Sequence, residues 1–403
     1  MLSLALRNIF RHKIRTAMTV GAIVFGVVGL IVTGGFVQDI LFQLSEATIH
    51  SQSGHLQVYR KGFYEFGSRS PEKYLIDEPR LLQQRIEALP ATAETMARIS
   101  FTGLLSNGRS DISIVGEGVE ADKEARLGSY LKISAGRQLT DSDQYGILLG
   151  DGVATSMQLK PGDPVTLLVS TAAGATNTLD FEVVGAFQTF SKEFDARAVR
   201  IPLAASQELF GSSGANSIVV SLRKTDETEA TAATLGTQLD AQHYAIRTWR
   251  ELNDFYQKAV DLYDRQFGVL RLIVLLMVLL TVANTVNMSV FERVGEFGTL
   301  LALGNRSRDI FRLVILENTL IGLIGALTGA ATGILAAAAL TALAIEMPPL
   351  PNANTGYVVS IRVLPSAVAS AFVIGLGATV LAAILPAVRV SRNPIAESLR
   401  QNY

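Results

Sequence analysis

The sequence predicts an α-helical membrane protein with four transmembrane helices and a large α+β extracytoplasmic domain inserted between helices 1 and 2. Three observations predict it. Four segments are long and apolar enough to cross a bilayer, basic residues gather at one set of their ends, and residues 38–266 are more polar, with short β-branched runs. The composition agrees. A chain of 403 residues, 49% hydrophobic and 18% charged, is too apolar for an ordinary soluble enzyme and too polar for a membrane bundle alone. A net charge of −1 offers no basic face, so no nucleic acid is expected. The absence of cysteine excludes disulfides, thiolate catalysis and Cys-ligated zinc.

Residues 1–15 form an amphipathic N-terminal segment carrying Arg7, Arg11, Lys13 and Arg15. The first span, 16–37, is too long for the apolar core of a signal peptide and no A-x-A site follows it, so it reads as an uncleaved anchor. The second span covers 267–289, the third 319–345 and the fourth 366–386, each about the 20 helical residues that a bilayer core requires. Arg271 lies near one end of its span, where its long side chain can reach the interface. Arginines recur in the link 290–318 (Arg293, Arg306, Arg308, Arg312) and in the tail 387–403 (Arg389, Arg392, Arg400). The link 346–365 carries only Arg362, beside "MPPLPN". Positive charge marks the cytoplasmic side. Both termini and the 290–318 segment are therefore expected inside the cell, with residues 38–266 outside.

The outer stretch is long enough to bury a core of its own. Strands are predicted in "HLQVYR", "ISIVGEGV", "PVTLLVS", "LDFEVVGAF", "AVRIPL" and "SIVVSLR". Helices are predicted in "PRLLQQRIEAL" and "ETEATAATLGTQLDAQ", with turns at "LKPGDP" and "GSSGAN". Its two ends read as helices continuing out of the membrane. "VQDILFQLSEATI" carries Ile40, Leu41, Leu44 and Ile49 on one stripe, and "ELNDFYQKAVDLYDRQF" repeats apolar residues every three or four positions. Such helices either pack beneath the domain or form a stalk that transmits force.

No feature of the chain reads as catalytic. It has no G-x-x-x-x-G-K-[ST] phosphate loop and no G-x-S-x-G elbow. His50 and His55 in "HSQSGH" suit a turn better than a metal face, so no metal is expected. Inside the spans, Asn284 and Asn287, with Thr281 and Thr285 nearby, read as hydrogen-bonding groups between helices. Gly325, Gly329 and Gly333 stand at i, i+4 and i+8, a ridge of small residues that admits a neighbouring helix.

Residues 291–318, "FERVGEFGTLLALGNRSRDIFRLVILEN", place mixed charge between two spans. Helical spacing puts Phe297, Leu300, Leu301 and Ile310 on apolar positions, with Glu292, Arg293, Glu296, Arg306, Arg308 and Asp309 facing polar surroundings. Gly304 reads as a C-cap, with a second helix beginning after "NRSRD". The stretch resembles the E-R-x-x-E-[IF]-G-x-L-x-A-L-G signature of the FtsX/MacB-type ABC transporter permeases. Glu292, Arg293, Glu296, Gly298, Ala302, Leu303, Gly304 and Glu317 occupy the pattern, while Phe297 replaces the usual Ile and Leu301 a common Arg. "LALRNIFRHKIRTAMTVGAIVFGV", "AGRQLTDSDQYGILLGDGVATSMQLKPGDPVTLLV", "FEVVGAFQT" and "LPAVRVSRNPIAESLR" are similar to the family's first span, extracytoplasmic core and tail.

The resemblance implies a permease of a bacterial inner membrane, with a MacB-like periplasmic core domain. It would pair with a second permease chain, identical or not, and with two copies of a cytoplasmic ATPase that binds the ATP and Mg²⁺. This chain itself would bind no cofactor and hydrolyse nothing. Residues Glu292, Arg293, Glu296, Gly298, Leu300, Leu303 and Gly304 are the expected ATPase contact, their helix docking in a groove so that nucleotide-driven closure passes outward. "SGHLQVYRKGFYE" and "VVGAFQTFSKEFDARAVRIPL" look most like the lipoprotein-releasing (LolC/LolE-like) branch. The alternatives are an efflux permease working with a membrane-fusion protein and an FtsX-like transmitter that activates an outside enzyme. For lipophilic cargo, a cleft opening between the first two spans would be lined by Gly34, Phe36 and Ile40 on one side and Phe267, Leu270 and Val274 on the other.

Overall fold

The computed structural model describes residues 5, 7–8, 11, 13–67, 71–127, 131–170, 176–349, 354 and 356–391. The tail beyond 391, with Arg392 and Arg400, and much of the amphipathic N-terminal segment lie outside the described residues. Two compact units divide the chain: residues 1–41, 259–346 and 358–403 form one, and 42–258 with 347–357 the other.

The first unit is a helical bundle. Its helices are α1 (Lys13–Thr48), α2 (Asp254–Glu292), the short α3 (Val294–Ala302), α4 (Ser307–Ala342) and α5 (Pro365–Ser391). The four long ones are apolar enough to cross a membrane. Each is longer than its expected span, because the helix continues into the more polar flanking turns, although α4 stops at Ala342, short of the expected end at 345. On α2 the buried residues are Val278, Val282, Val286 and Val290, a row at four-residue spacing turned toward the core. The glycine ridge of α4 receives α1. A Cβ added at Gly325 would meet Ile23 at 3.0 Å, at Gly329 Val27 at 2.9 Å, and at Gly333 Ile31 at 2.9 Å. Two i+4 rows thus interlock, which a larger side chain on α4 would prevent.

The second unit is built on one mixed sheet. Its strands are β1 (Leu56–Arg60), β2 (Thr92–Ser106), β3 (Asp111–Val119), β4 (Lys132–Gly136), β5 (Gly146–Gly150), β6 (Pro164–Ser170), β7 (Thr176–Gln188), β8 (Ala198–Pro202), β9 (Ser217–Leu222) and β10 (Tyr244–Thr248). The described strands run in the order β10-β1-β9-β2-β3-β8-β5-β7-β4, with β6 bridging β2 and β7. The pairs β3–β8 and β5–β7 are parallel. Short helices, among them Pro79–Glu87 and Thr228–Gln238, cover the sheet with Leu82, Ile86 and Leu235 buried. The turn in "LKPGDP" places Gly162 at φ +95°, backbone that a residue with a Cβ adopts only under strain.

Every predicted strand and both predicted helices coincide with observed elements. The second stalk differs. A four-residue helix, Trp249–Leu252, is followed by a break at Asn253, whose side-chain oxygen accepts from the Tyr256 backbone N–H at 3.0 Å and starts α2. From the link between α4 and α5, Asn354 is tied to the sheet unit. Its side-chain amide donates to the Thr189 carbonyl at 3.1 Å and to the buried Asp195 carboxylate.

Candidate functional site

The segment between α2 and α4 is held by charges that look inward. Helix α2 ends at Glu292, and Arg293 steps out of helical geometry at φ −106°, ψ 11° before α3 begins. That kink turns the Arg293 guanidinium into the bundle, where it donates to the Glu317 carboxylate of α4 at 2.7 and 3.3 Å and to Glu296 at 3.0 Å. It also lies 5.0 Å from the centre of the Phe297 ring. Arg293 and Glu317 are each 7% exposed. A buried charge is tolerable only with such pairing, and the pair ties the kink before α3 to α4.

The N-terminal basic segment completes the arrangement. Arg11 donates to Glu296 at 2.9 Å, Arg15 to Glu292 at 2.5 Å, and the Asn8 amide to Glu317 at 2.5 Å. A cavity of about 50 Å³ sits among Arg15, Thr19, Thr285, Arg293, Glu317 and Asn318. Its lining mixes these polar groups with Val286, Val290, Val314 and Ile321, and it has room for a few water molecules.

Helix α3 therefore presents a divided surface. Val294, Phe297 and Gly298 are buried against the bundle, and Leu300 is half-buried. Glu296, Thr299, Ala302 and Leu303 face outward, Leu303 with 76% exposure. The helix stops because Gly304 takes φ +97°, its N–H bonding back to the Leu301 carbonyl. Helix α4 then starts at Ser307, earlier than expected, because the Asp309 carboxylate accepts from the Arg306 backbone N–H at 3.0 Å.

Several residues sit otherwise than the sequence pattern suggests. Arg293, expected on the polar face, is buried in its pair with Glu317. Glu292 and Glu296 are engaged by Arg15 and Arg11 of the same chain. Along the expected cleft the first two long helices touch at two points: Gly34 lies against Phe267, 2.9 Å from an added Cβ, and Gly26 against Val278 and Val274 at 2.8 and 3.2 Å. Small residues at 26 and 34 let the helices touch. Phe36 and Leu270 are half-buried and Ile40 is buried. The Arg271 guanidinium lies 4.4 Å from the centre of the Phe267 ring, at the end of the expected span. Asn284, expected between helices, faces outward onto an open groove of about 1090 Å³ shared with Arg11, Ile14, Met18 and Met288, while Asn287 is half-buried.

Sequence reasoning named Glu317 as part of a pattern but missed its pairing with Arg293 and the part played by Asn8, Arg11 and Arg15. The only signal was a Glu inside an apolar helix, where an unpaired carboxylate would be expensive. Among the described residues no group of three or more His, Cys, Asp or Glu could hold a metal ion.

Residues 16–238 match the MacB-like periplasmic core domain, and residues 268–395 match the FtsX-like permease C-terminal domain. A lipoprotein-releasing system transmembrane protein LolC of Neisseria meningitidis is 24% identical over 422 residues, covering 98% of this chain and 95% of its own. The macrolide export ATP-binding/permease protein MacB of Sodalis glossinidius is 25% identical over 87% of this chain and 54% of its own length. An uncharacterised ABC transporter permease of Methanocaldococcus jannaschii is 26% identical over 56% of each chain, so this chain spans little more than half of that relative. The periplasmic region of MacB from Actinobacillus actinomycetemcomitans aligns with 51% of this chain and 93% of its own at 15% identity, with a TM-score of 0.36. With the core-domain match alone covering more than half of its residues, and four helices of membrane-spanning length, the chain belongs to the FtsX/MacB-type family of ABC transporter permeases.

Proposed function

We propose that this chain couples a separate cytoplasmic ATPase to work done outside a bacterial inner membrane, releasing lipoproteins or similar lipophilic cargo. The observation that supports the reading most directly is α3. A short helix is locked to the bundle through Arg293 and Glu317 while Leu303 stands exposed at its tip. A push on that tip moves a braced element, which is what a coupling device requires. Two ATPase copies would bind two permease chains, identical or paired, and supply ATP and Mg²⁺, so hydrolysis belongs to the partner. Both termini face the cytoplasm and the sheet unit lies outside in this reading. The near full-length match to LolC favours lipoprotein release. The match to MacB supports a second reading, efflux with a membrane-fusion protein.

The test is affinity purification of the tagged full chain from host membranes, followed by protein and lipid mass spectrometry. Recovery of an ABC ATPase with acylated protein is expected. A membrane-fusion protein in place of acylated protein would favour efflux. Purification with no ATPase would overturn the coupling reading.

A further inference from the structure

Deep in the sheet unit, four charged side chains form a ring: Arg98 on β2, Glu117 on β3, Arg200 on β8 and Glu124 on the helix Ala121–Leu127. Arg98 donates to both Glu124 oxygens at 3.0 and 2.9 Å and to Glu117 at 3.2 Å. Arg200 donates through Nε to Glu117 at 3.0 Å, and its Nη1 lies 3.1 Å from Glu124. Register explains part of this, since Glu117 and Arg200 are direct partners in the parallel β3–β8 ladder. The ring is neutral overall, and none of its members is more than 8% exposed.

Beyond the ring, one further N–H of each guanidinium donates to the same place. Arg98 Nη1 donates to the Gln52 carbonyl at 2.5 Å and Arg200 Nη2 to the Ser51 carbonyl at 2.7 Å. Those carbonyls belong to the π-helical turn Ile49–Ser53 that ends α1, closed by Gly54 at φ +62°. The last carbonyls of a helix have no partner within it, and in a buried setting they must find donors. The beginning of α2 is tied to the same spot. The Asn253 amide donates to the Thr48 hydroxyl at 3.2 Å, and the Trp249 backbone N–H donates to the His55 carbonyl at 3.0 Å.

We propose that this ring is a force-transmitting joint, its two arginines gripping the end of α1 so that the helix end and the sheet move as one body. Stability alone does not account for such a ring, because apolar side chains of similar volume usually stabilise a core as well as buried ion pairs do. A greasy plug, however, lets a helix end rotate or slide. Two guanidinium groups aimed at two successive carbonyls fix both its rotation and its register, and slipping would leave two buried N–H groups and two helix-end carbonyls with broken bonds. The use of the joint rests on the proposed coupling function, but its mechanics can be tested without any ATPase.

The chain has no cysteine, so Gln38→Cys and Lys160→Cys give clean attachment points for optical tweezers on the detergent-solubilised full chain. The parent should resist until the sheet unfolds in a single step. The neutral quadruple variant Arg98→Met, Glu117→Leu, Glu124→Leu, Arg200→Met should melt cooperatively yet release the helix end in a separate step, at less than half the parent force. A single step at parental force would overturn the joint. Should the quadruple variant lack a cooperative melt, Arg200→Lys decides: it keeps the charge but cannot span Glu117 and the Ser51 carbonyl together. It should show the early release, and parental behaviour would overturn the proposal equally. An ATPase failing to copurify would count against the coupling function alone, whereas a single step at parental force would count against the joint alone.

Discussion

His55 shows how much one side chain can record about its surroundings. The Leu222 backbone N–H donates to its Nδ1 at 3.1 Å, so the proton sits on Nε2, 3.3 Å from the Thr225 hydroxyl, which in turn donates to Glu46. Burial, with His50 close by, pushes its pKa down to about 4. The folded chain therefore holds His55 neutral, while the unfolded chain protonates it near pH 6.5. The stability this gives is complete above 6.5 and is lost as pH falls toward 4, by up to about 1.4 kcal/mol per pH unit. Between pH 7 and 5 the parent should lose roughly 2 kcal/mol more than His55→Asn, whose Oδ1 can still accept from Leu222. Equal losses in urea titrations at both pH values would contradict this. Gly329 carries a steric prediction: a Cβ there meets the Val24 backbone at 3.2 Å, so Gly329→Leu should cost about 1–3 kcal/mol in bundle stability. An unchanged melting temperature in detergent would refute it. The small residues of α4 were legible in the sequence because their spacing alone implies a close neighbour. Arg98 and Arg200 were not, because an arginine in a strand reads as solvent-facing until its carboxylates, far away in the chain, are brought beside it.

Among the elements, α3 carries the sharpest test. Its rim charges are already occupied within the chain, Glu296 by Arg11 and Arg293, and exposed pairs of this kind contribute only about 0–1 kcal/mol. A fully buried leucine contributes about 1.5–3 kcal/mol. Leu303→Asp should therefore abolish ATPase copurification and ATP-driven transport, with Glu296→Ala retaining most of both. Normal coupling by Leu303→Asp would return the stretch to an ordinary loop. The sequence indicated α3 and its glycine stop because amphipathic spacing and a left-handed cap are local properties. It did not reveal β2, β4, β5 or β10. In β2 the apolar alternation is interrupted by Arg98 and Gly103, and β5 is a five-residue run, "GILLG", buried on both faces and so without alternation. The break at Asn253 was hidden because apolar spacing runs straight across it, while only the capping bond to Tyr256 separates the two helices.

Across the whole molecule, orientation rests on charge rather than on contacts. Arginine and lysine cluster around the start of the first long helix and in the α2–α4 segment, and Arg11, Arg15 and Arg293 meet their acidic partners within the bundle. Pairing of this kind does not erase the bias, because topology is decided by positive residues during insertion, before any partner has been found. A stretch as long as that between α1 and α2 can be translocated whatever its own charge. Both termini and α3 should thus lie in the cytoplasm, with the ten-stranded unit outside. Ser142 and Ser307 are both exposed, and the chain lacks cysteine, so Ser142→Cys and Ser307→Cys each report one side without background. An impermeant maleimide on intact spheroplasts should label Ser142→Cys fully, and Ser307→Cys only after the membrane is opened. The reverse pattern would invert the topology and remove the ATPase side from α3. That outcome would end the coupling assignment while leaving the buried ring around Arg98 and Arg200 in place, since all four members of that ring belong to the sheet unit.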